Sequence, residues 1–224
     1  MTEDAHARQF ELWAGAVFGA FVPTPNARYV STFSDQSAPG RLLDRAMAEA
    51  GRLFETDLLI DAANREGDVI LAGNISVDCL GHFGGILREQ GHAGRLYGFD
   101  LYNDVDGETR RTDVERRVAA EPQWETSAGW YAESFEKTPA QRIGAVSYAR
   151  LRLIHAEPMR DVLEFLADRV IDGMTLQIDH FGFDLERGAA LSLRNWIADN
   201  ASRYAFQFLA LNDTSTLYLR LRHR

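Results

Sequence analysis

The groups in this chain best suited to moving a proton are two histidines, one of them beside an acid. His180 follows Asp179 at the end of the strand-like run MTLQIDHF, and His155 follows the run VSYARLRLI. An imidazole whose unperturbed pKa is about 6.5 can take up a proton near neutrality, so a hydroxyl activated by it needs no metal. The carboxylate of Asp179 stands next in the chain and could orient the ring, which favours His180 over His155 as a general base. A histidine at a strand end also serves as a hydrogen-bonded structural residue, and that reading stays open for both.

A second kind of chemistry is suggested by residues 68–85, DVILAGNISVDCLGHFGG. An apolar strand that runs through a glycine into a helix is the usual cradle of a nucleotide-type cofactor. Such a turn wants its glycines directly after the strand, where φ turns positive and backbone approaches the ligand. Only Gly73 sits there; Gly81, Gly84 and Gly85 come later. Asp100 closes the next strand-like run, RLYGFD, and could accept both hydrogen bonds of a ribose diol, or act as a solvated acid or helix cap. The G-x-G-x-x-G fingerprint is absent, which places a nicotinamide dehydrogenase behind other adenosine-bearing cofactors.

These groups need a scaffold, and the hydrophobic pattern supplies an alternating one. The first forty residues are punctuated by Pro23, Pro25, Pro39 and Gly40 and read as an arm or lid, with an apolar stretch from Trp13 to Val22. A helical pattern then runs to Gly67, giving an N-terminal arm and helical cover over 1–66 and an α/β core over 67–224. Within the core, strands DVILAG, RLYGFD, VSYARLRLI and MTLQIDHF alternate with helices, and Asp172-Gly173 reads as a turn before the last of them. Two final strand-like runs, YAFQFLAL and STLYLRLR, flank Asn212-Asp213-Thr214. The fold class is therefore α/β, a mostly parallel sheet ending in an antiparallel hairpin at its edge.

Composition limits the partners. In 224 residues there is one cysteine, Cys79, which rules out an intrachain disulfide and a cysteine-based zinc cluster and fits a reducing cytoplasm. No run approaches the roughly 20 apolar residues of a membrane span, so a soluble protein is expected. A net charge of −9 argues against a nucleic-acid or anionic-membrane surface and leaves a small-molecule substrate as the expected partner, with self-association open. The basic run RRTDVERR at 110–117 is interspersed with acids and reads as solvated surface.

Three passages carry a likeness to a known family. YGFDLYND, AGWYAESF and the long stretch VSYARLRLIHAEPMRDVLEFLADRVIDGMTLQIDHF resemble corresponding segments of the macrocin O-methyltransferase family, over roughly residues 45–222. The resemblance implies a Rossmann-like class I methyltransferase sandwich that uses S-adenosylmethionine. It places Gly73, Asp100, Tyr102 and Trp130 on the cofactor side and Asp179 with His180 on the acceptor side.

The departures from that family bear on function. Val77 and Asp78 stand where the family has paired glycines against the cofactor, and Gly84-Gly85 lie too far into the helix to replace them. The family's metal-holding carboxylates after the fourth strand become Arg152-Leu153-Ile154, and its second acidic pair becomes Asp179-His180. A hard divalent cation needs several oxygen ligands, so no divalent metal is expected, and Arg152 could pair with Asp179 in its place. Two functions follow from this pattern. One is a metal-independent, S-adenosylmethionine-dependent O-methyltransferase acting on a small polar acceptor such as a sugar or secondary metabolite, in the context of natural-product biosynthesis. The other is a catalytically degenerate or repurposed protein of the same fold, serving as a binding or partner subunit.

Overall fold

A computed structural model of the chain describes residues 28–29, 38–102, 105–128, 141–181, 188–211 and 216–224. Its elements are β1 (Arg28–Tyr29), α1 (Ala38–Ala63), β2 (Asp68–Ala72), α2 (Val77–Glu89), β3 (Leu96–Asp100), α3 (Gly107–Val118) and β4 (Trp124–Ala128). They continue as β5 (Val146–Leu151), α4 (Ala156–Leu166), β6 (Val170–Ile178), α5 (Gly188–Asn200), β7 (Tyr204–Leu211) and β8 (Leu217–His223). The apolar stretch Trp13–Val22, the segment holding Trp130 and the turn at 212–214 lie outside the described residues.

The strands form one sheet in the order β1-β7-β8-β6-β5-β2-β3-β4. Every pairing is parallel except those that β8 makes with β6 and with β7. This is the Rossmann-like, mostly parallel arrangement with a closing antiparallel hairpin. The hairpin is not bare at the edge, because the two residues of β1 add to the outer side of β7.

Strands buried on both faces need no polar alternation, which is why β2 and β3 read as continuous apolar runs. Along β2, Val69 and Leu71 point into one core with Leu59, Leu80 and Phe83 from α1 and α2. Ile70 and Ala72 point into the other, with Met159, Val162 and Leu163 of α4 and Leu193 and Trp196 of α5. The period-2 alternation of a strand thus builds a three-layer sandwich. On α4 the buried Met159, Val162, Leu163 and Leu166 recur at helical spacing and form a single stripe facing the sheet.

Three local readings change. Pro39 lies within the first turn of α1 rather than in a breaker, a position that needs no backbone N–H and suits a fixed φ. Asp172-Gly173 lies inside β6, where Gly173 takes φ +84° and the register against β5 slips between Val146 and Tyr148. The basic run at 110–117 is the helix α3, whose exposed face carries i,i+4 and i,i+3 pairs such as Arg111–Glu115 and Arg116–Asp113. It is helical, and solvated except where Val114 is buried and Arg110 turns inward onto Asp100. β4, which none of the strand patterns revealed, pairs with β3 at the far edge.

Candidate functional site

From β2 the chain proceeds outward to β3 and β4, then returns to place β5 on the other side of β2. A crevice opens at such a switch of direction, at the carboxyl ends of the strands. Here it is a cleft of about 210 Å³ whose lining includes Gly73, Asp100, Arg110, Arg152, Ile154 and His155. Backbone strain gathers around it. Asn74, Tyr102 and His180 leave β2, β3 and β6 with φ of 46°, 53° and 59°, and Gly73 takes φ +89°. Left-handed conformations at non-glycine residues cost free energy and tend to persist where a site requires the geometry.

Gly73 is required by the fold itself. Its N–H donates to the Phe99 carbonyl at 2.8 Å, and a Cβ there would run into the backbone carbonyl of Arg152. The strand end of β5 therefore lies directly against the turn. Ser76 caps α2 through a bond from the Cys79 N–H at 3.2 Å, so Val77 and Asp78 form the first turn of the helix. Gly84 has a packing role, since a Cβ on it would enter the indole of Trp124.

Asp100 is 5% exposed. Its Oδ2 accepts from the Ile75 N–H at 2.9 Å and from Arg110 at 3.1 Å, while Oδ1 has the longer contact with the Tyr102 N–H at 3.4 Å. The acid at the end of β3 thus ties the β2–α2 turn to α3. Tyr102 is buried in the core that α1 and α2 build with Leu59, Leu80 and Phe83, and the Arg110 guanidinium lies 5.4 Å from its ring centroid.

The ion pair expected between Arg152 and Asp179 is formed by a different arginine. Arg150 donates to Asp179 Oδ2 from Nε at 2.9 Å and Nη2 at 2.8 Å, and Glu55 of α1 lies 3.5 Å from its Nη1. Gln177 donates to Asp179 Oδ1 at 2.9 Å and to Glu55 at 2.7 Å, and it accepts from the Tyr148 hydroxyl. The Asp179 carboxylate leans back along β6 into this network, because a guanidinium there needs compensating charge more than the solvated Arg152 does. With both oxygens engaged, it does not orient the His180 ring. That contact comes from Arg152, whose Nε donates to His180 Nε2 at 3.3 Å.

The network has matching electrostatics. Burial acts to lower the Arg150 pKa, but the charge of Asp179, followed by Cys79 and Glu55, holds it above the ordinary value. Burial pushes the Cys79 thiol up despite Arg150 beside it, which keeps it a poor nucleophile. Among the described residues no three His, Cys, Asp or Glu side chains gather as a metal-binding group.

Of the residues singled out from sequence, the cleft brings together Gly73, Asp100, Arg152 and His155, with His180 behind Arg152. Asp179 faces away into the network, and Trp130 lies outside the described residues. Arg110, Arg150, Glu55 and Gln177 escaped the sequence reading. A signal existed for one of them: an arginine within the buried run VSYARL demands an acidic partner.

No protein-family model matches the chain, and no curated protein matches it in sequence. Solved structures do match. The apo structure of CalS11, a TDP-rhamnose 3'-O-methyltransferase of calicheamicin biosynthesis, superposes with a TM-score of 0.58 at 16% identity, covering 77% of this chain and 80% of that one. The O-methyltransferase NovP gives 0.58 at 14% identity, with 76% and 80% covered. An O-methyltransferase from Bacillus cereus in complex with SAH gives 0.53 at 12% identity over 96% and 97%. At these identities the shared property is the fold.

Proposed function

We propose that this protein is an S-adenosylmethionine-dependent O-methyltransferase that acts on a small polar acceptor, a sugar or secondary metabolite, without a divalent metal. The observation that carries the reading is the cleft at the β2/β5 switch point, with Gly73 at its floor and Asp100 on its wall. The fold shared with O-methyltransferases, one acting on a TDP-sugar and one in complex with SAH, supports it.

The residues fit an adenosine-bearing group at its ribose end. Asp100 Oδ1 has one long contact, and a carboxylate oxygen has capacity for more than one donor. Asp100 would hold the ribose diol, with Gly73 and Asn74 alongside. The cofactor supplies an electrophilic methyl group. The chain must then orient an acceptor hydroxyl and take its proton, a task assigned to His180, with His155 of the cleft wall as the competing base. Arg152 supplies positive charge beside the acceptor where a related enzyme would place a metal.

A second reading has its own support. Val77 and Asp78 fill the first turn of α2, the turn at Gly73 is closed by Arg152, and Asp100 is tied to Arg110. These features favour a repurposed fold in which the cleft no longer takes the cofactor. Calorimetry with S-adenosylmethionine and S-adenosylhomocysteine separates the two. Saturable binding of both supports the enzyme, and absence of binding at millimolar ligand supports the repurposed protein.

A further inference from the structure

We infer that Arg152 recognises an oxyanion on the acceptor, a phosphate or a carboxylate set beside an apolar body, and that in doing so it releases His180 Nε2. The inference rests on the proposed methyltransferase reading, with the cofactor at the Asp100 side of the cleft and the acceptor at the Arg152 side. The charges of the cleft make the case. Asp100 is neutralised by Arg110 at 3.1 Å, and Arg150 by Asp179 and Glu55. Of the three arginines that line the cleft and the adjoining pocket of about 50 Å³, Arg152 is the one with no ion pair to any described carboxylate, and it lines both spaces. A planar guanidinium fork in a concave site matches phosphate and carboxylate geometry.

Its present contact is weak and exchangeable. Arg152 Nε donates to His180 Nε2 at 3.3 Å on the exposed side of the cleft, so the ring nitrogen must hold its lone pair toward the guanidinium. While that bond exists, the same lone pair cannot receive an acceptor proton. An oxyanion offers Arg152 a short bond charged on both sides, stronger than the long bond to an uncharged imidazole that it leaves. The arm then turns to the ligand and the imidazole nitrogen becomes free, which couples recognition of the correct acceptor to exposure of the base. Ile154, 56% exposed at the lip beside Arg152, and Leu153 within the cleft supply the apolar contact for the rest of the ligand.

The test uses the full chain, with phenyl phosphate, benzoate and neutral phenol as probes, and reads binding from the imidazole nitrogen signals of His180. At least one anion should bind saturably and shift the His180 Nε2 signal, with phenol inert, and whichever anion binds identifies the oxyanion. Arg152→Gln should weaken binding by about tenfold or more, and Arg152→Lys should recover part of the loss. Arg152→Gln alone should move the His180 signal in the direction that ligand does. Anion binding unchanged in Arg152→Gln overturns the inference. So does binding that leaves His180 unmoved, or failure of both anions to bind. Cofactor calorimetry is a separate measurement, so loss of this coupling with cofactor binding intact removes the acceptor class and leaves the methyltransferase reading standing.

Discussion

Arg150 places Nε and Nη2 on a single oxygen of Asp179, at 2.9 and 2.8 Å. Removing the acid would strand a guanidinium whose side chain keeps 22% exposure, next to Glu55 alone. Asp179→Ala is expected to lower the free energy of unfolding by about 2 to 3 kcal/mol, toward the lower end for broken buried pairs. Urea titration measures it. Unchanged stability with lost activity would return Asp179 to the acceptor site.

Arg110 and the ribose of a cofactor would compete for Asp100. Asp100→Ala should therefore reduce S-adenosylmethionine affinity by at least about tenfold, the equivalent of one charge-assisted hydrogen bond. Arg110→Gln should raise the affinity, because it frees the carboxylate. Opposite effects of the two variants in calorimetry identify Asp100 as the ribose acceptor, and parallel losses would make the pair purely structural.

Gly84→Ala inserts a methyl group into the Trp124 indole, and neither α2 nor β4 can yield without disturbing the core that holds Leu80, Phe83 and Trp124. Overpacking of this kind costs about 1 to 3 kcal/mol. Gly85→Ala, with open space at the same step of the helix, should be neutral or slightly stabilising through helix propensity. Thermal unfolding of the two variants provides the contrast.

Tyr148 and Tyr218 bring a pH dependence. Burial, then the charge of Glu55, raises the pKa of both hydroxyls above that of a free tyrosine. A group whose folded pKa is raised contributes its stability in full below the unfolded value, about 10, and loses it as pH climbs past that value. Unfolding free energy should fall above about pH 10. Phenolate absorbance of these two residues should emerge together with the loss of structure, and ionisation in the intact fold would contradict their burial.

Methyl transfer in His180→Ala should fall by about 100-fold or more if that imidazole takes the acceptor proton, the usual range for a lost general base. His155→Ala, at the exposed N-cap of α4, should then leave the maximal rate near that of the native chain. The reverse result would assign the base to His155, which already lines the cleft.

The scaffold was more legible than the site. Apolar runs of doubly buried strands and the stripe of α4 are set by burial, which sequence records directly. Asp172-Gly173 misled because a glycine with positive φ can serve a register slip inside a strand as well as a turn. The helix α3 was obscured because its stability depends on paired charges, with Gly107 and Val114 its buried residues. In the site, the spacing of Asp100 and Gly73 pointed to the switch-point crevice. Which arginine meets Asp179 could not be read, since Arg150 and Arg152 share a face of β5 and its extension. The choice fell to Glu55, 95 residues away from Arg150 in sequence, which adds a second carboxylate to one and not the other.

The position of β8 has a consequence for the chain as it is made. Residues 217–223 are translated after all the other strands, yet they lie between β6 and β7 and hydrogen-bond to both. Until they leave the ribosome, β6 presents an open backbone edge and β7 has no route into the sheet. An unpaired strand edge on a nascent chain invites pairing with other chains. Arg222 and the His223 N–H then fasten onto Asp172 at 3.0 and 2.9 Å, sealing that edge from its far end. A chain that stopped short of residue 217 would leave β6 and β7 without the strand that joins them.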